Sequence, residues 1–166
     1  MAQGSSTQSD KLERLRNTAF DFCTGFASGV SGHECLDNFF TANPMILEHG
    51  PSWATTRLPF LAVTFRGRRG QDGAKTGTCD DYYDLLTATL AVEPGSVVVP
   101  PKKHIAVDAD QGIVTVRLHA KFSSIKTGKA WEEDFVYVLS DFDEDAKIGC
   151  QELWADPLSA YSAIGG

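Results

Sequence analysis

At 166 residues with 42% hydrophobic and 22% charged content, the chain is long enough to remove roughly 70% of its unfolded-state surface from water in one domain, a composition that excludes a disordered segment. Its formal net charge of -7 argues against nucleic acid as the main partner, because duplex binding rests on a basic face that displaces counterions from phosphate. The opening MAQGSSTQSD is polar and holds no apolar run, so neither a signal peptide nor a membrane span is expected and the default compartment is cytoplasmic.

Residues 1–9 read as a disordered polar tail and 10–166 as a single domain. A helix is predicted from Asp10, where Asp10 and Glu13 have the spacing of a capping box. Leu12, Leu15, Ala19, Phe22 and Phe26 then recur at helical steps until Gly25 and Gly29. Ser31 and Glu34 form a second box, opening a short helix with Cys35, Leu36, Phe39 and Phe40 that ends before Asn43-Pro44. MILEH is a strand candidate, followed by the Gly50-Pro51 turn and a short apolar helix from Pro59.

Residues 66–80, RGRRGQDGAKTGTCD, are rich in Gly and short polar residues and read as a flexible insertion. GAKT lacks the adjacent glycine and lysine and the feeding strand of a phosphate loop. Thr78 or Asp80 caps a third helix in which Tyr82, Leu86 and Leu90 share one side. After Pro100-Pro101 the period becomes alternating, and KHIAVDA, GIVTVRLHAKFSSI, KAWEEDFVYVLSDF and IGCQELWA read as four strands of an antiparallel meander. Helices followed by consecutive strands define an α+β fold, a curved antiparallel sheet wrapped around N-terminal helices to leave a conical hollow. Cys23, Cys35, Cys79 and Cys150 lack the CxxC spacing of a metal or redox motif.

Strand parity sorts the candidates for that hollow. Trp131, Glu133, Phe135, Tyr137 and Leu139 share one face, an aromatic wall holding one carboxylate. Ile148, Cys150, Glu152 and Trp154 share another. Glu152 is the leading acid-base candidate, because apolar neighbours disfavour its charged form; pairing with a cation on the sheet is the alternative. Arg57 is expected to reach inward and hold a substrate oxygen, Tyr137 to donate a hydrogen bond, and His49, in step with Met45 and Leu47, to relay a proton; a surface residue at a helix start, core packing with the hydroxyl at the rim, and a structural ring bonded to the following turn are the respective alternatives. Glu48 has the opposite parity and is expected to point away. Trp53, Phe60, Trp131 and Trp154 are candidate pocket walls, and Arg117 with His119 are expected on the surface or at an interface.

The order of elements, QELWADPLSAY at 151–161, EHGPSWATTRLPFL followed by TFRGR, and the helix DDYYDLL resemble the SnoaL-like branch of the nuclear transport factor 2-like superfamily, fungal secondary-metabolism members included. The resemblance implies a cone-shaped α+β barrel and a homodimer working without metal or organic cofactor. It also implies isomerisation or cyclisation of a hydrophobic polyketide, terpenoid or alkaloid intermediate. A dehydratase or hydrolase on the same scaffold, or a non-catalytic ligand- or protein-binding module, are the competing readings.

Overall fold

The computed structural model describes residues 3–74 and 76–165. Met1 and Ala2 of the expected tail and Lys75 of the expected insertion lie outside the described residues. The first helix, α1, runs from Gln3 to Ala27, so it extends back through most of the segment read as a tail. Its end is a Schellman closure: the amide of Val30 donates to the carbonyl of Gly25 and that of Gly29 to the carbonyl of Phe26, with Gly29 at φ +81°. A left-handed residue there satisfies carbonyls the helix leaves open.

Helix α2 (Gly32–Phe39) starts on the capping box of Ser31 and Glu34, and α3 (Cys79–Thr89) on a second box formed by Thr78 and Asp81. A last helix, α4 (Pro157–Ile164), is N-capped by Asp156, which accepts from the amides of Leu158 and Ser159. The strands are β1 (Phe40–His49), β2 (Thr64–Arg66), β3 (Leu90–Val92), β4 (Ala106–Asp108), β5 (Ile113–Ser124), β6 (Ala130–Ser140) and β7 (Ile148–Trp154). Instead of a helix from Pro59, a single 3-10 turn at Ser52–Thr56 precedes that proline.

These strands form one curved, unclosed sheet in the order β2-β1-β7-β6-β5-β3, with β4 also on β5. The α+β class is as expected. The sheet is mixed, however, because β1 lies parallel to β7, Leu47 beside Glu152 and His49 beside Trp154. The sequence order of the strands hid this pairing, since β1 is separated from its partner by α3 and five other strands.

The concave face takes α1, α2 and α3. Phe22 meets Phe40 and Tyr137, Phe26 meets Phe135, and Tyr82 meets Phe60 and Phe65, all at ring centroid separations of 5.3–6.2 Å. The inward row of β5, Val114, Val116, Leu118, Ala120 and Phe122, is buried, as the alternation requires. All four cysteines are buried free thiols. No described helix is long and apolar enough to cross a membrane.

The segment read as a flexible insertion is anchored in its described part. Arg68 grips Asp80 through Nε and Nη2 at 3.0 and 3.1 Å and Asp37 through Nη1 at 2.8 Å. Asp80 also accepts from the amide of Arg69 and faces His33 Nδ1. Burial opposes the charge of Asp80, but these partners outweigh it and hold the carboxyl down at about 2.

Candidate active site

The hollow between the helices and β6 is lined by Glu48, Tyr82, Glu133, Tyr137, Phe135 and Leu153, with Phe26 and Phe122 among its further walls. Its own volume is about 40 Å³. Glu48 is 6% exposed and accepts a hydrogen bond from the Tyr82 hydroxyl at 2.9 Å. Burial raises its pKa to about 8, with the Tyr82 hydrogen bond working against the shift and the charge of Glu133 adding to it. Near neutral pH Glu48 is therefore mainly a neutral carboxylic acid, able to donate a proton. Burial also raises Tyr82 well above the ordinary phenol range, so it stays a donor.

Glu133 enters from β6. One of its oxygens accepts from the backbone amide of Asp156 at 2.6 Å and the other from the Trp131 indole at 3.3 Å. Burial raises its pKa above the ordinary glutamate range, and those two donors offset the shift only in part. Two carboxyls thus share one apolar hollow with different surroundings: Glu48 is sealed with a single phenol, and Glu133 is held by an amide and an indole. Such a pair divides into acid and base roles.

The positions expected to face the hollow are distributed as follows. Tyr137, Glu133 and Phe135 line it. Trp131 is half-buried at its edge, stacked on Phe122, and Leu139 is packed in the core. Phe60 sits behind Tyr82 rather than on the wall.

Glu152 and His49 are corrections. Both lie on the outer sheet face, where Glu152 Oε1 approaches His49 Nε2 at 3.4 Å without hydrogen-bond geometry, and the His49 ring stacks on Trp154 at 4.0 Å. The inward face of β1 is the opposite one: Met45 and Leu47 are only part-buried, whereas Pro44, Ile46 and Glu48, the last expected to point away, are buried. Both faces of β1 are apolar, so alternation alone does not say which is inward. In β7, Ile148, Cys150, Gln151 and Leu153 are all buried, Glu152 is only part-buried and Trp154 stands 42% exposed, so burial does not follow one parity along the strand.

Arg57 does not enter the hollow either. Its guanidinium lies 4.0 Å over the ring of Tyr161 and Nη1 donates to the Tyr161 carbonyl at 3.1 Å, tying the turn after β1 to α4. Trp53, 57% exposed, packs edge-on against the same tyrosine. Arg117 and His119 are on the outer face, both bound to Asp134. A separate cleft of about 250 Å³ between α1 and the β6–β7 turn is lined by Lys11, Arg14, Asp141, Asp143 and Glu144. Its mixed charges give no apolar enclosure for a reacting group.

Glu48 and Tyr82 were missed as site residues, and each left a signal. Glu48 is in step with Pro44 and Ile46 along β1, and Tyr82 belongs to the inward stripe of α3 with Leu86.

No protein-family model matches the sequence, and no curated protein matches it. Solved structures do share its fold. One is a Bacillus subtilis protein provisionally named an isomerase, at 15% identity and TM-score 0.66 over 94% of this chain and 96% of that one. A second is a Burkholderia pseudomallei protein of unknown function described as NTF2-like, at 10% identity and TM-score 0.64, covering 92% and 98%. A Xanthomonas campestris protein provisionally named a polyketide cyclase aligns at 11% identity and TM-score 0.63, covering 93% and 99%. The chain therefore has the nuclear transport factor 2-like fold.

Proposed function

We propose that this protein is an isomerase or cyclase acting by acid-base catalysis, without a cofactor, on a hydrophobic polyketide, terpenoid or alkaloid intermediate of secondary metabolism. The observation that carries the reading is a buried, neutral Glu48 held by Tyr82 in an apolar hollow that it shares with Glu133. Glu48 gives its proton to a substrate oxygen or carbon. The Glu133 carboxylate removes a proton from a neighbouring carbon, and the double bond moves or a ring closes between the two events. One proton enters and one leaves, so the product is an isomer of the substrate. The Tyr82 hydroxyl then faces the newly formed Glu48 carboxylate and stabilises it. Tyr137 offers a second phenol to a substrate oxygen, and the apolar walls keep water from an electron-deficient intermediate. The names of the isomerase and cyclase neighbours support the reaction class.

The test is proton exchange into carbon. A panel of neutral multi-ring ketones and enones is incubated with the protein in D2O, and deuterium incorporation is read by mass spectrometry. Glu48→Gln keeps the shape but cannot donate an acidic proton, and exchange should fall roughly 10²–10⁴-fold. Exchange at the wild-type rate in that variant overturns the assignment.

We further propose a homodimer formed through the outer sheet face. The exposed Trp154 stacked on His49 gives that face an aromatic patch suited to self-association.

A further inference from the structure

A hollow of about 40 Å³ has room for little more than one or two waters. Sites for small organic ligands run to roughly 300–1,000 Å³, so the acid pocket alone cannot hold the substrate proposed above. Its walls lead somewhere. Phe26, Leu86, Leu90 and Val92 line the acid pocket and also line a second hollow of about 290 Å³, which continues past Val30 and Ala91, between the end of α1, the start of α2 and the end of α3. The ionisable side chains on its wall are Cys35 and Tyr83. Burial pushes the first up to about 11 and the second well above the usual phenol range. This outer chamber therefore presents an uncharged, apolar surface.

Building on the proposed function, we infer that the two hollows are one elongated binding site, with Phe26 as the partition between them. Its ligand is a neutral, branched or multi-ring hydrocarbon skeleton whose oxygenated end reaches Glu48. The apolar body occupies the outer chamber. A charged or sugar-bearing body would lose its hydration there without gaining a partner. Phe26 suits the partition by position: it lies in the last turn of α1, part-buried, with its ring edge-on to Phe135 at a centroid separation of 6.2 Å. A rotation of that ring opens one chamber into the other.

The inference is tested on the full chain by fluorescence titration with N-phenyl-1-naphthylamine, a neutral two-ring probe with a pendant phenyl group. Saturable binding to the wild type is expected. Ala91→Trp and Val30→Trp fill the outer chamber from opposite sides, and each should weaken binding at least tenfold while far-UV circular dichroism stays unchanged. Phe26→Ala removes the partition and should tighten binding, and weaker binding than wild type overturns that role. No binding by the wild type, or equal binding by both filled variants, overturns the inference. Loss of the probe from the filled variants together with normal exchange in Glu48→Gln leaves the elongated site standing and removes the acid role, so the two readings fail separately.

Discussion

At the scale of single residues, Glu48 is the costly one. A carboxyl raised to about 8 by burial binds its proton more tightly in the folded protein than in the unfolded chain. Below the ordinary glutamate range both states are protonated and Glu48 does not affect stability. As pH climbs from there toward about 8 only the unfolded chain releases the proton, so stability falls across that window and the loss is complete above it. Glu48→Gln removes the titration. Denaturant melts at about pH 5 and about pH 9 should show a smaller decline in the variant than in the wild type, and an unchanged decline would assign the pH dependence to other groups. The same residue marks the limit of sequence reading. Tyr137, Glu133 and Phe135 were legible because the inward row of β6 is aromatic while the opposite row carries Glu132 and Asp134. On β1 and β7 both rows mix apolar and polar residues, and the choice between Glu48 and His49, or between Leu153 and Glu152, is made by neighbours that strand parity does not contain.

At the scale of elements, caps and stripes were readable where the chemistry is local. The Ser31–Glu34 box opens α2 as its spacing implies, and Thr78 caps α3. Missed were the short strands β2 and β3, whose three residues each are too few to show a period, and α4, whose helix start on Asp156-Pro157 follows directly on β7. Two element-level predictions follow from packing. Gly32 opens α2 directly against Tyr83, and a Cβ there would sit 2.1 Å from the tyrosine Cγ. Gly32→Ala should lower stability by about 1–3 kcal/mol or more through forced repacking, read as a drop in denaturation midpoint. The Arg68–Asp80 clamp ties the segment after β2 to α3 and α2. Because Asp80 is buried, Arg68→Ala leaves its charge without its main partner and should cost about 3–5 kcal/mol, whereas loss of an exposed ion pair such as Lys121–Glu93 should have little effect.

At the scale of the molecule, the α+β class was legible because helical and alternating periods occupy separate parts of the chain, and the conical hollow because apolar helical stripes precede a run of long consecutive strands that curl around them. The parallel pairing of β1 with β7 was not legible, since nothing local in either strand names a partner so distant. For the proposed dimer, Trp154→Glu places a charge on the aromatic patch of the outer face and should convert a dimer to a monomer in sedimentation velocity at micromolar concentration; a wild-type protein that sediments as a monomer removes the proposal. The β1–β7 pairing has one more effect. Phe40 lies beside Ile148 and Glu48 beside Leu153, so the strand bearing the acid acquires one of its neighbours only after α3 and five further strands have been made. On the ribosome β1 therefore waits, with its inner edge open and its apolar residues exposed, until the last strand emerges. Closing so wide a loop is slow, and translation products that stop short of β7 are the species most prone to aggregate.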